Sequence, residues 1–440
     1  MFRLAYSIYS LLMGIGLLLL GGGLLGTALG VRATMDGVSQ TTIGFIMAAY
    51  FAGFIVGTYG APGIVRRVGH VRAFAAFAAI ASTTGILHAM FTDPFAWMAF
   101  RLLTGASFVG IYMVIESWLG EQSTSTTRGQ VFALYMTITL LALAGGQFLI
   151  LVGDVSTFVP FGVVTILVSL ALVPVALTRL REPTPLEAPS LGLRHIISIS
   201  PLGVAGAFFS GLAYAAFWGM GPVFASGIGL EKMGVATFMA ATILGGALLQ
   251  VPIGHLSDHH DRRTVLAWVG VAGSLLALVL FAATFFGRGA IVVAGFLYGG
   301  VMFTVYGLSV AHMNDHLHEG GVLEATQALL LVHGGGAVAG PLVAGLIMER
   351  FGSQALLFFF AVILALLAAY AFRRMHVSPH IPLEDQGDYM PMVRTTQAAA
   401  ELDPRSDESE LEYTAEMDDE EEWFEADHPE EEGEPEGSRA

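Results

Sequence analysis

The chain has 440 residues, 55% hydrophobic and 13% charged, with a mean hydropathy of +0.68, so most of it is membrane protein by composition. Its net charge of −16 is unevenly placed, because residues 376 to 440 hold 22 of the 36 acidic residues and three of the 20 basic ones, Arg394, Arg405 and Arg439. Cysteine is absent, which excludes disulfides, thiolate metal sites and cysteine nucleophiles.

Taken in chain order, apolar stretches long enough to cross a bilayer as helices run over 4 to 30, 40 to 63, 71 to 92, 95 to 120, 130 to 153, 157 to 178, 200 to 224, 234 to 257, 264 to 286, 289 to 311, 322 to 348 and 353 to 372. These twelve spans predict an all-α polytopic membrane protein. The first follows Arg3 and has a loose cleavage-like Ala28-Leu29-Gly30, but its apolar run is too long for a signal peptide. With the N-terminus inside, one face carries twelve basic residues (Arg3, Arg66, Arg67, Arg72, Arg128, Arg179, Arg181, Arg194, Arg262, Arg263, Arg373 and Arg374). The other carries four, Arg32, Lys232, Arg288 and Arg350. That asymmetry predicts both termini in the cytoplasm.

An internal repeat divides the chain. Met47-Ala48-Ala49-Tyr50 with Gly53 recurs as Met239-Ala240-Ala241-Thr242 with Gly245, an offset of 192 residues. The expected organisation is a six-helix half over 1–178, a cytoplasmic linker over 179–199 containing Pro183, Pro185 and Pro189, a second six-helix half over 200–375, and an acidic tail over 376–440. The tail, with Asp418-Asp-Glu-Glu-Glu422 and Glu430-Glu-Glu432, is too charged to bury a core, so it is expected to be a disordered, solvated cytoplasmic extension. Its deletion is then expected to leave insertion and flux nearly unchanged.

Residues Gly254 to Arg263 read Gly-His-Leu-Ser-Asp-His-His-Asp-Arg-Arg, a polar block between two apolar spans. This loop resembles the signature loop of the major facilitator superfamily: a glycine, a small or apolar pair, Ser-Asp, then paired basic residues. The resemblance, extending over about residues 1 to 375, implies a fold of two six-helix halves with a central site and alternating access. The opening stretch and Ile115-Glu116-Ser117-Trp118-Leu119 look most like the YcaD-like branch. In the loop, Gly254 is expected to let a helix end pack closely, Asp258 to face the N-terminus of span 5 near Arg128, and Arg262 with Arg263 to hold the cytoplasmic side. The matching first-half loop departs from the pattern, with Arg66 in place of Asp258 and Pro62 in place of Gly254. Either the lock is charge-inverted, Arg66 or Arg67 facing Glu319 or Glu324, or the two arginines only set topology.

Ionisable residues inside spans are the better candidates for transport. Arg101 and Glu116 share span 4, and Arg101-Leu-Leu-Thr-Gly105 resembles the family's Arg-x-x-x-Gly stretch. Their separation puts both on one face, about 22 Å apart along the axis. Glu116 is the expected proton-coupling carboxylate; otherwise it is an interfacial acid paired with Arg128, and Arg101 snorkels to the outer interface. Span 11 adds Gln327 and His333 ahead of Gly334-Gly335-Gly336 and Gly340-Pro341, glycines that either echo an antiporter motif or permit close helix contact. Tyr112, Gln147, Tyr214, Trp218, Gln250, Tyr298 and Tyr306 would suit a cavity for an organic solute, although membrane aromatics are mostly packing.

His312, Asn314, Asp315, His316, His318 and Glu319 form no closed ligand set, and no metal site is expected. A Gly-rich, Lys-Ser/Thr nucleotide loop is missing, which disfavours an ATP-driven pump, and no cofactor is expected. The reading is a non-enzymatic secondary transporter of the bacterial inner membrane, a monomer in the lipid bilayer that takes a small-molecule substrate and protons and no nucleic acid. The rival is a non-transporting receptor or scaffold acting through the acidic tail.

Overall fold

The computed structural model describes residues 2–124, 127–178, 183, 193–317, 321–377, 381–387, 389–390 and 395–396. The first half comprises α1 (Phe2–Met35), α2 (Gln40–Val68), α3 (His70–Met90), α4 (Pro94–Gln122), α5 (Arg128–Phe148) and α6 (Val159–Leu177). After the short α7 (Leu193–Ile199), the second half comprises α8 (Pro201–Gly227), α9 (Lys232–Asp258), α10 (Arg262–Ala283), α11 (Arg288–Asn314), α12 (Val322–Phe351) and α13 (Ala355–Met375). Twelve of these helices are long and apolar enough to cross a membrane, one for each predicted span.

Helix ends follow local chemistry. Asp93 caps α4 by accepting from the backbone amides of Phe95 and Ala96, both at 3.0 Å, with Pro94 in the first turn. Gly69, at φ +82°, turns the chain between α2 and α3, a conformation that residues with a Cβ rarely adopt.

Lipid gives apolar helices no hydrophobic reason to associate, so close packing falls to small residues. A Cβ on Gly53 would collide with the Leu102 carbonyl oxygen, and one on Gly105 with the Tyr50 carbonyl oxygen, so α2 and α4 cross in backbone contact. Gly245 meets the Phe296 carbonyl and Gly299 the Thr242 carbonyl in the same way, joining α9 to α11. The repeat seen in sequence is thus a repeated helix crossing. Gly336 and Gly340 similarly abut the Phe208 and Leu212 carbonyls of α8, which accounts for the glycines of span 11 as close-contact residues.

The halves meet at the end of the bundle opposite the chain termini. There the Gln40 amide donates to Glu349 Oε2 at 2.6 Å and the Gln40 side-chain amide to Ser353 Oγ at 3.0 Å, while Gly44 abuts the Pro341 carbonyl. At the terminal end the halves are bridged by the tail. Part of it departs from the solvated extension expected of it: His376, Val377 and Pro382 to Glu384 are exposed, but Tyr389 is 6% exposed and Thr396 3% exposed, both within the bundle. The reason is local composition, since 389 to 400 reads Tyr-Met-Pro-Met-Val-Arg-Thr-Thr-Gln-Ala-Ala-Ala with one charge, ahead of the acidic runs. Residues 397–440 lie outside the described residues.

Candidate functional site: a central cavity and its terminal-side crevice

A cavity with about 1100 Å³ of atom-free space lies between the halves. Leu19 and Gly22 of α1, Tyr50 and Phe51 of α2, Arg101, Thr104, Phe108 and Tyr112 of α4 and Thr139 of α5 line it from one side. Tyr214 and Trp218 of α8, Gln250 of α9 and Phe303 of α11 line it from the other. A second lobe of about 700 Å³ shares Tyr50, Phe51, Tyr112 and Tyr214 and adds Gln327 and His333 of α12. The walls are aromatic, with Tyr214 and Phe303 rings 5.7 Å apart edge to face, and His333 held between Tyr214 at 5.6 Å and Tyr306 at 4.8 Å.

Arg101 does not snorkel. It is 7% exposed, and its guanidinium lies 4.4 Å from the centroid of the Tyr50 ring. The α2–α4 glycine crossing sets this pair, because Gly105, one turn from Arg101, rests on the Tyr50 carbonyl itself. Glu116, four turns further along α4, is fully buried. It accepts a hydrogen bond from the Tyr135 hydroxyl of α5 at 2.5 Å and from the hydroxyls of Thr395 and Thr396 in the tail. Thr395 also lines both lobes of the cavity. Arg128 opens α5.

The signature loop is built differently from expectation. Asp258 accepts the backbone amide of Tyr389 at 2.8 Å and faces Arg262 at 3.4 Å, so its partner is the tail and not the start of α5. The Tyr389 ring rests on Gly254 and Gly307, which leave room for it by lacking a Cβ. Arg262, 1% exposed, pairs with Asp315 at 3.0 Å and donates to the Gly387 carbonyl. Arg263 pairs with Asp261 at 2.7 Å, and Asp261 caps α10 by accepting the Arg263 amide at 2.9 Å. Partial burial pushes the Asp261 carboxyl up, but hydrogen bonds from the Arg263 side chain and amide, with the Arg263 charge, outweigh it and hold the group below its ordinary range.

Other candidates fall elsewhere. Gln147 is fully buried but tied to α1, accepting from Thr27 Oγ1 at 2.5 Å and donating to the Gly23 carbonyl at 3.3 Å, so it joins helices and does not face the cavity. Tyr298 stacks on Phe360 at 5.2 Å, away from both lobes. Tyr306 lines neither lobe and meets His333 ring to ring at 4.8 Å. Arg66 and Arg67 are exposed and, among the described residues, pair with no carboxylate; Glu324 is exposed too, and Glu319 lies outside the described residues. Among the described residues, then, neither arginine meets Glu324. Sequence reasoning missed Tyr50 as a lining residue, although it sits inside the repeat, and missed Tyr389, Thr395 and Thr396 altogether.

A profile of the Major Facilitator Superfamily matches residues 11–328. Similar proteins include the uncharacterized MFS-type transporter YE1530 of Yersinia enterocolitica, 27% identical over 325 residues that cover 71% of this chain and 81% of that one. Another is the uncharacterized MFS-type transporter YcaD of Escherichia coli O9:H4, 27% identical over 356 residues covering 78% and 89%. Among solved structures, the nucleoside transporter NupG superposes with a TM-score of 0.69 at 16% identity, covering 85% of this chain and 100% of NupG. A bacterial homolog of the human lysosomal transporter Spinster, in an inward-facing and unoccupied conformation, gives a TM-score of 0.70 at 14% identity, covering 88% and 99%. At such identities these structures speak for the fold. The family profile, spanning most of both halves and the signature loop, speaks for descent, and the chain belongs to the major facilitator superfamily.

Proposed function

We propose that this is a secondary active transporter of the bacterial inner membrane, working as a monomer with both termini in the cytoplasm. It moves a small organic solute through the cavity by alternating access, coupled to protons at Glu116. The observation that supports this best is a single cavity lined by α1, α2, α4 and α5 of one half and α8, α9, α11 and α12 of the other, with the halves in contact at the end opposite the termini. Rocking of the halves about such a cavity exposes one site to each side in turn. Glu116 suits coupling because a buried membrane carboxylate is costly when charged, and Tyr135 supplies a hydroxyl donor to its charged form. A receptor or scaffold acting through the tail has no use for a cavity shared between two halves, and that reading is not favoured.

The test begins with a thermal-shift screen of purified protein against metabolite and drug panels, since a ligand bound only by the native state raises apparent stability. A stabilising compound should then exchange across proteoliposomes and accumulate under a pH gradient. Glu116→Gln should keep exchange and lose pH-driven accumulation. A compound that binds and never crosses would favour a receptor.

A further inference from the structure

We propose that the central cavity selects an organic monoanion, a carboxylate on a flat apolar body, with Arg101 as its anchor; this rests on the transporter reading above. Arg101 is buried within the span, and its Nε has no hydrogen-bond partner. Among the described residues its charge-compensating contact is the face of Tyr50. Among the described residues no aspartate or glutamate lines either lobe. The acid on the same helix, Glu116, lies about 22 Å away by helical rise and is already engaged by Tyr135 and the two tail threonines.

A guanidinium taken out of water without a counter-ion is a large cost, of which a cation–π contact recovers only part. A carboxylate entering the cavity would complete the fork of donors and remove the imbalance. Since Arg101 is the one formally charged side chain among the described residues lining either lobe, one negative charge balances it. The body is set by the walls: Tyr50, Phe108, Tyr112, Tyr214, Trp218 and Phe303 present ring faces and edges that stack on a flat apolar skeleton. An amine would meet an unpaired positive charge, and a neutral amide would leave it unpaired.

The experiment is a thermal-shift series on the purified full chain with matched probes: benzoate, indole-3-acetate, 2-naphthoate and cholate, each against its amide, and indole-3-acetate also against tryptamine. The carboxylates should raise the melting temperature while amides and the amine leave it unchanged. Arg101→Gln should erase the shift, and Arg101→Lys, which keeps a point charge without the fork, should retain part of it. No shift from any carboxylate, an equal shift from the amides, or an undiminished shift in Arg101→Gln would overturn the proposal. The wild-type comparison stands even where a variant fails to fold. Transport of amines or amides would refute anion selection and leave the transporter reading intact. A carboxylate bound through Arg101 that never crosses would do the reverse.

A second inference stands on a separate observation, the course of the C-terminal segment. We infer that Gly387, Tyr389, Thr395 and Thr396 together form an internal plug that holds the transporter in one state. Tyr389 and Gly387 contact the second half at Asp258, Arg262, Gly254 and Gly307, Thr395 and Thr396 contact the first half at Glu116, and Thr395 lines the cavity. Two halves joined through these contacts cannot rock until the contacts break. Its grip on Asp258 and Glu116 also occupies a loop carboxylate and the proposed coupling carboxylate together.

Because the chain has no cysteine, Thr139→Cys in the cavity gives a unique thiol for labelling with a fluorescent maleimide. A chain ending at Val377 should label at least about tenfold faster than the full chain, as expected when a closed state must open before reaction. The full chain bearing Tyr389→Ala, Thr395→Ala and Thr396→Ala should match the truncated one, which guards against a truncation that fails to fold. Equal labelling rates in all three would overturn the plug.

Discussion

The Arg101 guanidinium lies 4.4 Å from the centroid of the Tyr50 ring, and the two side chains come from helices held together by reciprocal glycine contacts, Gly53 on Leu102 and Gly105 on Tyr50. A positive charge at the cavity wall is thereby positioned by residues that have no polar atom beyond their backbone. The same crossing recurs between α9 and α11, where Thr242 occupies the place of Tyr50 and no arginine is present in α11's lining. One scaffold therefore serves both halves, and the charge belongs to one of them.

The crossings make a stability prediction. Gly53→Ala or Gly245→Ala must push a Cβ into a carbonyl oxygen of the partner helix, and overpacking of this kind costs about 1–3 kcal/mol. Gly60, on the same helix as Gly53, has no atom within 4 Å of its would-be Cβ, and Gly60→Ala should be neutral or raise stability by up to about 1 kcal/mol. Melting temperatures in detergent, read by intrinsic fluorescence, check both. Equal effects at Gly53 and Gly60 would contradict the crossing.

Arg262 predicts a larger loss. It is 1% exposed between Asp258 at 3.4 Å and Asp315 at 3.0 Å, so Arg262→Ala removes the cation these two carboxylates share and should cost about 3–5 kcal/mol. Denaturant titration of the purified variant measures it. An Asp315→Asn substitution in the same background should recover part of the loss, since the two positions are coupled.

Asp261 sets a pH window. Its carboxyl is held below the ordinary value of about 3.9, so its contribution is fully present above that value and is lost as pH falls through the lower folded one. The melting-temperature gap between the protein and Asp261→Asn should stay constant from about pH 8 to pH 5 and close under stronger acid. A gap that already narrows near neutrality would contradict the Arg263 clasp.

Orientation is tested by reporter fusions. A reporter after Arg374 should signal from the cytoplasm, and one in the loop 287–289 from the periplasm, following the twelve-to-four bias in basic residues. The opposite pair of signals would invert the topology.

The sequence alone carried the twelve spans, the repeat and Arg101, because apolar length, glycine spacing and a lone charge in an apolar stretch are local signals. It could not rank the aromatic and amide candidates, since Gln250 and Gln147 look alike until helix rotation turns one to the cavity and the other to Gly23. Tyr298 was lost to Phe360 for the same reason. The partner of Asp258 lies 131 residues away in a segment whose average charge hides its quiet beginning. That averaging concealed the plug, and with it the hydroxyls that meet Glu116.

Alternating access about one cavity is the central claim, and distances across the two ends test it without a known substrate. Spin labels at Arg72→Cys and His260→Cys report the terminal end, and labels at Met90→Cys and Phe286→Cys report the other; all four positions are exposed and the chain has no other thiol. The measurement is electron–electron double resonance on the full chain with Tyr389→Ala, Thr395→Ala and Thr396→Ala, so that the plug does not hold one state. As pH is lowered from about 7.5 to 5.5, the long-distance population should grow at one end and shrink at the other. Adding Glu116→Gln should abolish the pH response. Distances that stay fixed at both ends, or lengthen together, would contradict the account.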